Sequence, residues 1–296
     1  MDQAKKLLSL IESSRKILIT AHISPDPDAI ASVSLLSEIL KLNYPAKVVK
    51  AVMEEKPDGL EFIQGYDNLA FGSIASSLKD FTPDLFILLD GNNYERCSRH
   101  DGQRVRDCIR EKSVKTIVID HHEPAGKDNV DLYINRDSPA TAQDIYEIFI
   151  DELKLQSPTL AAQTAMVGFY ADTGGFVYVK AGKQDKLFGF AKRLVDGGAD
   201  IELVKYSLEN YSQEDLKVIG QLCANLSHEN NYNFSYLSDE YINDWIGSGR
   251  SQSQLQRPTN TFLNNYIRNI NGRHWGFIVY KNTLQGEGFY SASFRS

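Results

Sequence analysis

The sequence predicts an α/β protein with a doubly wound, mostly parallel sheet, followed by a second, smaller α/β domain. Three observations carry this reading. Four short runs in the first half are rich in Ile, Val, Leu and Phe: KILIT (Lys16 to Thr20), AKVVKAV (Ala46 to Val52), DLFILLD (Asp84 to Asp90) and KTIVID (Lys115 to Asp120). Strands buried on both faces of a parallel sheet read in this way. Amphipathic stretches lie between them, and strands alternating with helices make a layered α/β unit. After the fourth run the pattern turns mainly helical and returns to strand-like segments only near the end.

In chain order, MDQAKKLLSLIESSRK carries lysines and leucines at helical spacing. It lacks the apolar block and small-residue cleavage site of a signal peptide. After the first strand, AIASVSLLSEILKL brings Ile30, Val33, Leu36 and Leu40 to near-helical period. TAQDIYEIFIDEL, TLAAQTAMVGFYADT and KQDKLFGFAKRLVDGG read as helices, the last ending at a Gly-Gly stop. Two further helical patterns surround ELVKYSLENY and SQEDLKVIGQLCANLSHE, and NFSYLS, HWGFIVY and GFYSASFR read as strands. GSGRSQSQLQRPTN (Gly247 to Asn260) is polar and rich in glycine and serine, and reads as a mobile loop. The domain boundary is expected between about Val179 and Tyr211, giving a first domain over 1–185, linker helices over 186–211 and a smaller domain over 212–296.

Composition bounds the function. The 296 residues are 42% hydrophobic and 24% charged, enough for a core under a polar surface. No apolar run reaches the roughly 18 residues of a membrane span. A cytoplasmic protein without a membrane partner is expected. Cys97, Cys108 and Cys223 have no C-x-x-C spacing and support neither a disulfide framework nor a zinc site. The net charge of −7 argues against duplex DNA, which calls for a basic face. A small anionic substrate stays open, because bound cations reverse the field of a single pocket.

The chemistry lies at the strand ends. KILIT runs into AHISPDPDA, giving His22, Asp26 and Asp28; DLFILLD closes on Asp90; KTIVID closes on Asp120, followed by His121 and His122. Ligands of open α/β sheets sit beyond the carboxyl ends of the strands, so these residues are expected to converge. Taken singly, each has a plain alternative: Asp26 and Asp28 flank Pro27 as turn or cap residues, and paired histidines are often surface residues. As a set, so many acids around one crevice would repel one another without cations. Mixed imidazole and carboxylate ligands suit manganese, iron, cobalt or zinc better than an all-oxygen calcium cage. A bridging aspartate can hold two such ions about 4 Å apart, the arrangement that serves phosphoryl hydrolysis.

HISPDPDA, the aspartate ending the next core strand, the DHH tripeptide Asp120-His121-His122, and ADTGGF around Asp172 together resemble the four motifs of the DHH phosphoesterases. That family includes RecJ-like exonucleases, nanoRNase/pAp phosphatases, cyclic-dinucleotide phosphodiesterases and family II inorganic pyrophosphatases. The resemblance implies one metal on His22, Asp26, Asp90 and Asp172 and a second on Asp28, Asp90, His121 and Asp172. Two manganese ions are implied, with magnesium, cobalt or iron as substitutes. It implies catalytic roles for His122, facing the scissile phosphate, and for Asp120, orienting an imidazole. Arg96 is a candidate substrate residue, with a surface arginine as its alternative. Thr141 and Thr173 are candidate phosphate neighbours that could equally be helix caps. Asp172 alone could be a helix C-terminal residue beside a glycine stop, although an acid there opposes the helix dipole unless a cation compensates it. Ala31 stands where the family commonly has glycine, and Pro27 should stiffen the ligand loop.

HWGFIVY and GFYSASFRS resemble the start of the substrate-binding domain paired with the DHH domain, with Ser293, Arg295 and Ser296 matching its Ser-x-Arg-Ser element. This makes Arg295 a further candidate substrate residue. The glycine-rich motif expected after it does not follow, so the domain is expected to be truncated. Tyr280, Phe289 and Tyr290 read as the core of a small sheet, with base stacking as the alternative. The expected activity is metal-dependent hydrolysis of small nucleotide phosphoesters: short single-stranded oligonucleotides, linear dinucleotides or 3′-phosphoadenosine 5′-phosphate (pAp). The alternatives are a pyrophosphatase or exopolyphosphatase and a non-catalytic nucleotide sensor or assembly subunit. A homodimer is the expected assembly.

Overall fold

The structure, a computed structural model, describes residues 3–123, 128–178, 181–283 and 286–295. Val179, at the start of the expected linker, and Ser296 lie outside them. The chain divides into two compact units, residues 1–208 and 209–296.

In the first unit the apolar runs become strands β1 (Lys16–Thr20), β2 (Val48–Met53), β4 (Leu85–Leu89) and β5 (Lys115–Ile119), joined by the shorter β3 (Ala70–Phe71) and β6 (Leu132–Ile134). Among the described residues they form one parallel sheet in the order β3-β2-β1-β4-β5-β6. The helices are α1 (Gln3–Ser13), α2 (Pro27–Asn43), α3 (Ile74–Phe81), α4 (Gly102–Glu111), α5 (Thr141–Ile145), α6 (Ala161–Asp172), α7 (Gln184–Asp196) and α8 (Ile201–Leu208). After α5 the backbone continues in π-helical turns over Tyr146–Glu152.

The apolar centres of β1, β4 and β5 follow from two-sided burial. Ile17, Ile19, Leu85, Ile87, Ile117 and Ile119 pack into one layer with residues of α2, α6 and α7. The alternate residues Leu18, Phe86, Leu88 and Val118 pack into the opposite layer with Ile74 and Leu78 of α3 and Val105 and Ile109 of α4. Period-two alternation therefore serves two cores rather than a core and a surface. The segment expected as linker helices falls differently. Leu187, Phe190, Ala191, Leu194 and Val204 are buried in the first unit's main core, so α7 and α8 are packed parts of that unit.

The second unit contains α9 (Gln213–Ala224), β7 (Ser227–Glu229), β8 (Tyr232–Tyr236), α10 (Asp239–Gly247), α11 (Gln256–Phe262), β9 (Gly276–Lys281) and β10 (Tyr290–Arg295). Its sheet runs β10-β9-β8-β7, parallel between β8 and β9 and antiparallel elsewhere. Ser227–Glu229, expected as a continuation of the preceding helix, pairs instead with β8.

The stretch Gly247 to Asn260 is not a mobile loop. Ser251 and Gln254 form a capping box, a 3-10 turn covers Gln252–Leu255, and α11 follows without a break. Leu255, Pro258, Thr259 and Phe262 are buried, and this apolar spacing outweighs the glycine- and serine-rich composition. The aromatic expectation needs a similar correction. Tyr280 packs against the second unit's core, but Phe289 and Tyr290 are 52% and 55% exposed. Strand alternation in β10 turns Tyr290, Ala292 and Phe294 to the open face. Among the described residues no helix is long and apolar enough to cross a membrane.

Candidate metal centre

Each candidate ligand is delivered by the carboxyl end of a strand or by a helix end beside it. After β1 the chain turns through Ser24, whose φ of +52° lies in the left-handed region, and the Ile23 N–H donates to the Arg96 carbonyl at 2.6 Å. Pro27 then opens α2, where its missing N–H costs nothing. Asp26 caps that helix, its Oδ1 accepting the Ala29 N–H at 3.0 Å, and Asp28 sits in the first turn, fully buried. Asp90 follows β4 with φ +50°, and its N–H donates to the Ile119 carbonyl at 3.0 Å. A non-glycine residue in this region is uncommon and is held there by its surroundings. Asp120 continues β5, its N–H donating to the Ile134 carbonyl at 3.1 Å, and His121 and His122 come next. Asp172 is the last residue of α6.

These side chains meet. Asp90 is central: its Oδ2 lies 3.3 Å from His22 Nε2 and its Oδ1 lies 3.3 Å from His121 Nε2. His22 Nε2 is 3.7 Å from Asp26 Oδ1, and His121 Nε2 is 3.2 Å from Asp172 Oδ2. Donor atoms of His22, Asp26 and Asp90 all lie within 4.8 Å of one another, as do those of Asp28, His121 and Asp172 and those of Asp90, His121 and His122. Asp28 is steadied by the start of α5, accepting the Thr141 N–H at 2.7 Å and the Ala142 N–H at 3.0 Å. The Thr141 hydroxyl donates to Asp90 Oδ1 at 3.3 Å.

The electrostatics express a demand for positive charge. Burial works against a charged imidazole at His22, yet Asp26 and Asp90 outweigh it and push the pKa up to about 11. At His121 burial likewise opposes the charge, and Asp172, Asp90 and Asp28 raise the value to about 11. Burial, then Asp172 and Asp90, hold the Asp28 carboxyl well above its ordinary range. Asp172 is raised to about 6, by burial first and by Asp26 and Asp90, against the pull of His121. Asp90 moves the other way: burial would raise it, but His121 and His22 hold it low. Asp90 Oδ2 and His121 Nε2 are buried without a hydrogen-bond partner among the described residues. Buried, unpartnered ligand atoms on a carboxylate and an imidazole of one acid- and histidine-lined site fit a divalent cation.

Residues 16–169, more than half of the chain, match the DHH family, N-terminal domain. The chain belongs to the DHH family. The probable bifunctional oligoribonuclease and PAP phosphatase NrnA of Streptococcus mutans is 27% identical over 231 residues, covering 78% of this chain and 68% of that protein. The bifunctional oligoribonuclease and PAP phosphatase NrnA of Bacillus subtilis is 25% identical, covering 93% of this chain and 80% of its own length. The crystal structure of an exopolyphosphatase-related protein from Bacteroides fragilis has the same fold, with a TM-score of 0.81 and 20% identity over 99% of this chain and 83% of that one.

The DHH tripeptide divides its work. His121 turns into the acid cluster. His122 is 45% exposed, and its Nδ1 lies 2.8 Å from Oδ1 of the fully buried Asp120. Arg96 lies in a 3-10 turn beyond Asp90, exposed, and its guanidinium forms no ion pair among the described residues. Thr173 is not placed for substrate. It is fully buried, its hydroxyl donates to the Phe169 carbonyl at 2.6 Å and accepts the Phe176 N–H at 3.1 Å, and the helix-cap alternative holds. Arg295, in the second unit, donates from Nε to Asn264 Oδ1 at 2.9 Å.

Two contributors to the DHH site have no clear mark in the sequence. Gly168 in α6 packs directly on Asp28, and a glycine inside an apolar helical run was the available signal of a close approach. Tyr133 donates to the second oxygen of Asp120 at 3.2 Å and has no local signature.

Proposed function

We propose that this chain is a divalent-metal-dependent phosphoesterase of small nucleotides, acting on short oligoribonucleotides, linear dinucleotides or pAp. The observation that carries the reading is Asp90 turning one carboxylate oxygen toward each of two imidazoles, His22 and His121. Such a carboxylate suits a bridge between two cations. His22 and Asp26 would complete one ion's ligands, and Asp28, His121 and Asp172 the other's. Manganese is the proposed metal for both positions, because the ligands mix nitrogen and oxygen.

When bound, the ions activate water and offset charge on the phosphate. The chain's own residues do the rest. Asp120, as a carboxylate, can only accept, so it holds the Nδ1–H of His122 and leaves Nε2 for the substrate. His122 would hydrogen-bond the scissile phosphate or protonate the leaving oxygen. Arg96, charged and exposed, would contact a second phosphate or the sugar–phosphate backbone. The activities for which the NrnA relatives are named support the substrate class.

The test is hydrolysis of pAp and of two- to five-nucleotide RNAs with added Mn2+. The wild type should turn over, and Asp90→Ala should lose all activity while staying folded. An active Asp90→Ala variant would overturn the two-ion assignment. A wild type inert with every divalent ion would favour a nucleotide-binding sensor.

A further inference from the structure

We propose that Tyr133 and Asn135, on and just beyond the edge strand β6, are positioning residues that fix the orientation of the His122 imidazole. The inference rests on the phosphoesterase reading for its consequence but not for its geometry.

His122 is nearly half exposed, and its ring touches that of His121 at a centroid distance of 4.2 Å. A terminal ring of this kind has a broad, roughly two-fold torsional preference, so something must select one face. Asp120 takes Nδ1, but Asp120 needs fixing in turn. Tyr133 supplies that. Its hydroxyl donates to Oδ2 while His122 holds Oδ1, so both oxygens of a fully buried carboxylate are engaged. Burial, with Asp120 beside it, raises the Tyr133 phenol to about 12 and keeps it a donor.

Asn135 grips the same residue from the backbone side, its Nδ2 donating to the His122 carbonyl at 2.6 Å. Residues 133 and 135 are two apart along extended chain and project to one face. Parallel pairing of Val118 with Tyr133 and Ile119 with Ile134, extended by the Asp120 N–H on Ile134, sets the register that brings both against the DHH segment. The edge strand and the residue after it thus act on His122 twice, through Asp120 at the ring nitrogen and directly at the backbone carbonyl. Removing the phenol hydroxyl leaves a buried carboxylate oxygen unpartnered, a cost that Asp120 relieves only by turning, with His122 following.

The experiment uses the full chain and two readouts. Two-bond proton–nitrogen NMR correlation of the histidine rings, with His122 assigned by comparison with His122→Ala, should show one Nδ1–H form in the wild type. Tyr133→Phe should show exchange between tautomers at His122 while the other histidines are unmoved. With Mn2+, kcat on pAp should fall about threefold to tenfold with KM nearly unchanged, and less on a p-nitrophenyl ester, whose leaving group needs no proton. In a His122→Ala background Tyr133→Phe should add nothing further to the loss in kcat. An unaltered His122 spectrum, or a full additive loss in that background, overturns the proposal. A wild type without turnover would strike the phosphoesterase reading instead and leave the spectral test standing.

Discussion

A Cβ on Gly168 would fall 2.3 Å from Oδ1 of Asp28 and 2.8 Å from the Cβ of Ala142. The helix α6 therefore meets the site through a residue without a side chain. Alanine is the better helix former by about 1 kcal/mol, so an unobstructed Gly168→Ala would stabilise the chain. Here the methyl group must push Asp28 off the Thr141 and Ala142 amides or part α6 from α5. Gly168→Ala is expected to lower stability by about 1–3 kcal/mol and to weaken Mn2+ binding, measured by thermal unfolding and titration calorimetry. A stabilised variant with unchanged metal affinity would refute the contact.

Cation binding should expel protons. The His22 and His121 imidazoles, both at about 11 without metal, are protonated at neutral pH and must become neutral to act as ligands. Binding at pH 7 should release close to one proton for each, and affinity should increase with pH. Below about pH 6 it should weaken further as Asp172 takes a proton. Calorimetry in buffers of different ionisation enthalpy counts the protons. Binding without release at pH 7 contradicts the assignment of these imidazoles as ligands.

Asp144 is fully buried, and neither of its oxygens has a hydrogen-bond partner among the described residues. Burial, chiefly, pushes its carboxyl up to about 7, against the weaker pull of the nearby Ser138 and Arg136. The folded chain thus holds this proton more tightly than the unfolded chain. Its contribution to stability is whole below about pH 4 and is lost as pH rises to about 7. Asp144→Asn is neutral throughout and should gain on the wild type across that window. The gain should reach a few kcal/mol, on the order of 1.4 kcal/mol for each pH step of one between the two limits. Unfolding temperatures at pH 4 and pH 8 are the measurement. An equal difference at both would show that Asp144 does not titrate between them.

Leu255 tests the second unit. It is fully buried, in one core cluster with Phe262 and Trp245, and lies in a segment whose composition reads as loop. Leu255→Ala should cost about 2–5 kcal/mol in denaturant unfolding of that unit. A change below about 0.5 kcal/mol, the size typical of a surface site, would place the side chain outside the core.

Much of this molecule was legible because its strands are buried twice over. KILIT became β1 residue for residue, since a near-continuous apolar run leaves no solvent face to confuse the reading. β3 and β6, two and three residues long, carry too little pattern to stand out. Residues 247–260 misled because serine, glycine and glutamine cover a helix whose buried face rests on a few side chains. At the site, the acids and histidines declared themselves by their position after strands. The partners that hold them did not: Tyr133 and Asn135 act through contacts across the fold with nothing nearby to mark them, and Gly168 is marked only by standing inside an apolar helical run. Asp26 showed that two readings of one residue can both hold, for it caps α2 and also faces His22.

Apart from Asp172 at the end of α6, the candidate ligands follow three neighbouring strands, β1, β4 and β5, whose ends are separated by about seventy and thirty residues of chain. No short peptide contains a complete coordination sphere, so the unfolded polypeptide has little with which to capture an ion. Any affinity for divalent cations is then confined to the assembled sheet, and by mass action it deepens the native basin alone. Loading the centre would therefore prolong the lifetime of the folded enzyme more than it hastens its formation, acting as a clasp fastened after the garment is on.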